Sequence, residues 1–173
     1  EDARNVIIQN EIHISLVQFL SNPDIYVFQT SFCFYLHLTQ LLLKKELSQE
    51  QFTILEPFLI QFSEFVIHHL KENILIIKTS EDSLETAGII AVEFLALFNL
   101  SHFLFDQIMP LGLEEVLSLY LYETEINSTY LIFAQNLLIT VEFVYQTTEG
   151  KLAIFSETNR EPFLKQFIQI YGF

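Results

Sequence analysis

The sequence predicts an all-α fold of antiparallel helices, and three observations carry that expectation. Apolar residues recur at helical spacing over long stretches, as in residues 5–20, where Val6, Ile7, Ile8, Ile12, Leu16, Val17, Phe19 and Leu20 form a wide stripe. Chain breakers are scarce: four Gly and four Pro in 173 residues are too few for the dense turns of a β-sandwich. The alternating pattern of a half-buried strand appears at no useful length, and KLAIFS at 151–156 alone is ambiguous between strand and connector.

The elements follow from their start and stop signals. A first helix is expected over 5–20. Ser21-Asn22-Pro23-Asp24 stops it and starts the second, with Asn22 as N-cap, Pro23 where its missing N–H is harmless, and Asp24 at the positive helix end. That second helix runs to Lys44-Lys45, cations suited to a helix C-terminus. From Ile25 to Leu43 it is apolar on nearly every side, so it should lie sandwiched between neighbours.

Ser48-Gln49-Glu50-Gln51 matches a capping box and opens the third helix. Pro57 should interrupt it about two turns in, leaving a kink or a short helix ahead of one over 57–74. The polar run KTSEDS at 78–83 reads as an exposed loop and as the place for any sub-boundary. Ser83 is expected to cap a fourth helix through Phe98, and Ser101 a short fifth ended by Pro110. After Gly112 a sixth covers about 113–122, and Asn127 or Ser128 caps a seventh through Gln146. Thr147-Thr148-Glu149-Gly150 closes it, and Thr158-Asn159-Arg160-Glu161 is a second capping-box match ahead of a last helix to Tyr171. Phe94, Leu95, Phe98, Phe133, Leu137 and Val141 are predicted core residues, because their helices are apolar over most of their circumference.

Composition bounds the function. A chain of 173 residues is the size of one domain, 1–173, able to bury about 70% of its unfolded surface. Its apolar content of 51%, with eighteen Phe, seven Tyr and no Trp, predicts an aromatic-rich core. The opening Glu1-Asp2-Ala3-Arg4 shows neither a start methionine nor a basic leader, which predicts a fragment of a longer protein. Eight Lys+Arg against 22 Asp+Glu, a net charge of −14, disfavour nucleic acid and anionic membrane as partners and suit a basic peptide or protein face. The same charge also serves simply to keep an apolar domain soluble and monomeric. The single cysteine, Cys33, rules out an internal disulfide; it reads as a small buried hydrophobe in a reducing compartment, cytoplasm or nucleus. Segments 87–105 and 129–145 are apolar enough to invite a transmembrane reading. Glu93 in the first and Glu142 in the second argue against it, since a mid-span carboxylate costs about 2.5–3.5 kcal/mol.

Residues 91–121, AVEFLALFNLSHFLFDQIMPLGLEEVLSLYL, alternate helix and break at Asn99-Leu100-Ser101, at Pro110 and at Gly112. That punctuation resembles an armadillo repeat junction, and residues 84–146 as a whole look like armadillo repeats. Residues 5–75 are similar to the HEAT repeats of the importin-β and exportin superfamily. They carry a helix through Ile14 to Leu20, a tight Asn22-Pro23-Asp24 turn, a more apolar helix from Val27 through Leu38, and a third helix at Pro57-Phe58-Leu59. The resemblance implies a short α-solenoid that binds other macromolecules rather than catalyses. An irregular helical bundle is the alternative architecture. Importin-α-type grooves use recurring Trp, and this chain has none, so that binding mode is not implied.

Candidate sites are few. Adjacent His68 and His69 point about 100° apart on a helix and cannot share a metal; His13 and His37 lack a His or carboxylate partner at i+3 or i+4, and His102 has Asp106 alone. No metal, cofactor or catalytic residues are therefore predicted, and no enzyme: neither a Gly-rich phosphate loop nor a nucleophile elbow is present. Asn99-Leu100-Ser101 and Asn127-Ser128-Thr129 match the glycosylation sequon but read as helix caps. Glu114, Glu115, Glu123 and Glu125 bracket one helix and its following loop, and form the candidate partner-binding ridge for a basic segment. Three functions follow as expectations: a protein-interaction scaffold, a segment of an importin/exportin-type receptor, and a bundle carrying an apolar ligand such as a lipid.

Overall fold

The computed structural model describes residues 3–22, 24–79, 83–122 and 128–152. Every regular element among them is helical: α1 Ala3–Gln9, α2 Ile12–Gln18, α3 Ile25–Leu43, α4 Gln49–Thr79, α5 Ser83–Ile108, α6 Leu113–Tyr122 and α7 Ser128–Thr147, with 3₁₀ turns at Phe19–Ser21 and Met109–Leu111. The ridge residues Glu123 and Glu125, the candidate cap Asn127, the stretch 153–156 and the expected last helix to Tyr171 lie outside the described residues.

The expected first helix is two. Glu11 adopts a left-handed conformation (φ 54°) that ends α1 and redirects the chain. The turn lets two short apolar faces meet different parts of α4. On α1, Asn5 accepts a hydrogen bond from the Gln51 amide at 2.8 Å; on α2, His13 packs edge-on against Phe58 at 4.7 Å.

At the next start the cap is Asp24 rather than Asn22. Its Oδ1 accepts from the Tyr26 and Val27 N–H groups at 2.9 and 3.3 Å, while Asn22 Oδ1 accepts the Asp24 N–H. The charged carboxylate meets the orphan donors, and the neutral amide bends the chain into position. α3 buries one stripe, Phe32, Tyr35, Leu38 and Leu42, and is not sandwiched: Tyr26, Cys33 and Leu43 face outward. Cys33 is thus exposed rather than buried, because α3 has neighbours on one side only at that position.

α4 opens with the reciprocal capping box: Gln51 N–H donates to Ser48 Oγ at 3.2 Å, and Ser48 N–H to Gln51 Oε1 at 2.9 Å. Pro57 does not interrupt it; the helix runs on to Thr79, into the expected loop 78–83. Pro57 sits on the exposed face, while Leu55, Leu59 and Phe62 hold the buried face on both sides of it. Phe28 meets Phe65 and His69, and Phe32 and Tyr35 meet Phe62, so α3 and α4 are antiparallel.

The expected break at Asn99 is absent. Asn99 is buried and donates to Thr39 Oγ1 at 3.2 Å, and Ser101 Oγ bonds back to the Leu97 carbonyl at 2.7 Å. Asn99 thus reaches across to α3 and Ser101 back along its own helix, and α5 continues to Ile108 with a kink at Leu104 (φ −125°, ψ 29°). Gly112 then makes the break the sequence marked, at φ 101°, and α6 begins.

α7 lies parallel to α5. Asn136 Nδ2 donates to Ala91 O at 2.7 Å, Thr140 Oγ1 to Phe94 O at 3.2 Å, and Phe143 meets Phe98 at 6.0 Å, so both chains climb together. α6 carries the chain back packed mainly on α4, placing Tyr120 edge-on to Phe94 at 5.0 Å and Phe133 at 5.5 Å. Phe94, Phe133, Leu137 and Val141 are buried as expected; Leu95 and Phe98 are half-buried at the edge. By length and composition Leu84–Leu111 is apolar enough to cross a membrane. In this fold it is the central helix, packed against α3, α4 and α7.

Candidate functional site

A carboxylate inside the central helix organises the most distinctive polar cluster among the described residues. Glu93 projects from α5 with no exposed surface at all. Such a charge is tolerated only when neighbours replace water. Two residues one turn apart on α4 do so: His69 Nδ1 hydrogen-bonds Glu93 Oε1, and Asn73 Nδ2 donates to Oε2 at 3.4 Å. Asn73 Nδ2 also lies 3.2 Å from His69 Nδ1. One hydrogen lies between Nδ1 and Oε1, and the Asn73 amide serves the other carboxyl oxygen.

Aromatic rings set the imidazole plane. Phe65 stacks on His69 at 5.4 Å and 18°, and Phe28 of α3 leans against it at 5.8 Å. Below the cluster, the Tyr120 hydroxyl donates to the Leu70 carbonyl at 2.8 Å, tying α6 to the same turn of α4.

Burial by itself would lower the His69 pKa. The Glu93 hydrogen bond and charge, with a contribution from Glu72, outweigh burial and hold it above the ordinary imidazole value. For Glu93, burial dominates and raises the carboxyl pKa against the opposing pull of His69 and Asn73. Tyr120 is raised as well, by burial and then by the Glu93 charge.

The cluster borders a cleft of about 500 Å³ between α3, α4, α5 and the Phe19–Ser21 turn. Leu20, Phe28, Phe65, Ile76 and Ile89 give it apolar walls, and Asn22, Thr86 and His69 add polar groups. At the rim His68 and Glu72 face each other at 3.7 Å, both largely exposed.

The acidic ridge is only partly described. Glu115 Oε2 accepts from Lys71 Nζ at 2.5 Å across α4 and α6, above Gly112, and Glu114 beside it is half-buried. Of the other histidines, His13 is buried with Nδ1 unpartnered, while His37 and His102 are exposed. Among the described residues, no three His, Cys, Asp or Glu are grouped to hold a metal ion.

Sequence reading missed the Glu93 cluster because it sought partners for histidines along one helix, and Glu93 is 24 residues from His69. The available signal was Glu93 itself, a lone carboxylate in the apolar run 87–105 that had to find a partner if buried. Comparison with protein-family models, curated proteins and solved structures finds no match.

Proposed function

We propose that the chain is a non-enzymatic protein-interaction scaffold of α-solenoid type, binding a protein or peptide segment on its helical surface. The parallel register of α5 and α7, which pack directly on each other with α6 as the return connection, is the observation that supports this most. Stacked repeats bring equivalent helices into parallel rows in this way, and each row presents one face for binding. The register also sets the first turns of α5 and α7 at one end, where Leu84 and Leu131 stay 68% and 53% exposed. Exposed apolar groups on an otherwise acidic chain suit a basic segment that carries an apolar anchor.

Lipid carriage has less support. The most apolar cavity, between α1, α3 and α4, is about 150 Å³, below the roughly 300–1,000 Å³ of typical ligand sites, and the larger cleft beside His69 is lined by Glu72, Asn73 and two histidines as well as apolar groups.

Affinity capture at low and high salt, followed by the doubly substituted Leu84→Asp/Leu131→Asp chain, tests the scaffold reading. We expect a protein partner held at low salt, released at high salt and lost on substitution while helical content is kept. A partner that binds the substituted chain equally, or no partner at either salt, overturns it.

A further inference from the structure

The cleft between α3, α4, α5 and the Phe19–Ser21 turn has an occupant chemistry of its own, independent of the scaffold reading. We propose that it binds a small organic cation: an amine whose ammonium is held at Glu72, with the Asn73 side-chain carbonyl beside it, and whose apolar body lies against the Phe28 and Phe65 rings.

Charge selects the cation. Glu72 lines the cleft with its side chain 60% exposed, and no Lys or Arg is among the described lining residues. The net charge of −14 adds a field of the same sign, which draws cations and repels anions. The His69–Glu93 pair does not cancel this attraction. One hydrogen lies between Nδ1 and Oε1, so the pair is neutral when Nε2 also carries a hydrogen and negative when it does not.

Hydrogen bonding selects a donor. Asn73 is 4% exposed and lines the cleft, so the cleft is where it meets solvent. Its Nδ2 faces Glu93 Oε2 and His69, which leaves Oδ1 without a protein partner among the described residues, and that oxygen is not sealed from water. An ammonium brings three donors and no acceptor, the complement of a carboxylate and a free carbonyl on adjacent residues.

The walls select the body. Phe28 and Phe65 meet at 5.9 Å across the α3–α4 packing, so their rings stand preformed, with Ile76 and Ile89 along the same cleft. Such rings hold an apolar group by burial and attract a cation to their faces. The volume of about 500 Å³ lies within the usual range of small-molecule sites.

Four matched probes test this on the intact chain at about pH 8, above the ordinary imidazole value of about 6.5: 2-phenylethylamine, 2-phenylethanol, 3-phenylpropanoate and butylamine. Each is titrated while the Phe28 and Phe65 rings and the Ile76 and Ile89 methyls are followed by NMR. Phenylethylamine should shift all four residues with a dissociation constant of roughly millimolar order, as expected for so small a ligand. Phenylethanol, which keeps the body and drops the charge, should bind about fivefold more weakly, and phenylpropanoate more weakly still. Butylamine reproduces the stem and head of a lysine side chain; weaker binding than phenylethylamine separates a small-molecule ligand from a partner's lysine. Glu72→Gln should bring phenylethylamine down to the level of phenylethanol. Glu142→Gln removes an equal charge from the exposed face of α7 and should change the affinity by less than about twofold, since distant exposed charges are screened. Ile89→Trp fills the cleft and should abolish binding of every probe. Equal binding of phenylethanol or butylamine, tighter binding of phenylpropanoate, no shift with any probe, equal effects of Glu72→Gln and Glu142→Gln, or undiminished binding in Ile89→Trp would each overturn the proposal.

Discussion

Glu93 has lost all contact with water, and both of its oxygens are served by a single turn of α4. Removing one partner of such a pair leaves an uncompensated buried group, so Glu93→Ala should destabilise the fold by about 3–5 kcal/mol in urea unfolding. The pair also sets a pH dependence. His69 and Glu93 both bind protons more tightly in the fold than ordinary imidazole and carboxyl groups do, so unfolding releases protons and stability falls as pH rises. The His69 contribution is complete below the unfolded value of about 6.5 and is lost as pH rises through its higher folded value. Glu93 has the same sign, setting in above the unfolded carboxyl value of about 4.3. The urea midpoint should therefore be lower at about pH 8.5 than at about pH 6, and His69→Gln/Glu93→Gln should flatten the difference. A midpoint that rises over that window would refute the assignment.

At the scale of elements, two backbone positions carry opposite expectations. Pro57 lies well inside α4, where it removes a helical hydrogen bond yet faces outward. Pro57→Ala should raise stability by roughly 1–2 kcal/mol: the helix-interior penalty of proline is partly offset by the greater entropy of the unfolded alanine chain. An unchanged or lower thermal midpoint would show that the proline is positively required by the packing. Gly112 is the reverse case. Its φ of 101° is left-handed, and an added Cβ would meet Lys71 Nζ at 3.1 Å and Glu115 Oε2 at 3.3 Å. Gly112→Ala should cost about 1–2 kcal/mol from the backbone alone and should disturb the Lys71–Glu115 pair. The pair itself contributes little, since half-exposed ion pairs are worth at most about 1 kcal/mol.

Across the whole molecule, the core is one hydrophobic cluster in which the rings gather in separate groups. Phe94 and Phe133 meet at 6.4 Å with Tyr120 against both, joining α5, α6 and α7. Truncating either phenylalanine to Ala should lower unfolding free energy by about 3–5 kcal/mol, measured by denaturant titration. Surface electrostatics act at the same scale. If a basic segment docks near Glu114 and Glu115, association should slow steeply with salt, because exposed charges are screened beyond about 8 Å at physiological ionic strength. Reversing both residues to Lys should slow association in stopped-flow mixing with only a small fall in the thermal midpoint, the fall coming from the lost Lys71 contact. Salt-insensitive association would place the contact on apolar groups such as Leu84 and Leu131.

Local signals decided most of the helices. The Ser48–Gln51 box, the Gly112 break, and the spans of α3, α6 and α7 were legible because each depends on residues within one turn of itself. Only the tertiary structure decided what those signals meant where a distant partner competed for the same side chain. Asn99 and Ser101 read as a break by composition, yet Asn99 is buried with its amide donating to Thr39, 60 residues away, and the helix runs on. Glu11 splits the first helix because its two halves have different places to pack along α4. Pro57 stays inside a helix because Leu55, Leu59 and Phe62 are buried on both sides of it. The Glu93 cluster is the furthest case: a carboxylate on α5, an imidazole and an amide on α4, and rings from α3 and α4 become one site only when the helices pack. Apolar periodicity states that a helix face will be buried. Which polar groups it takes into the core with it depends on the neighbour it meets, and that neighbour is chosen by the packing of the whole chain.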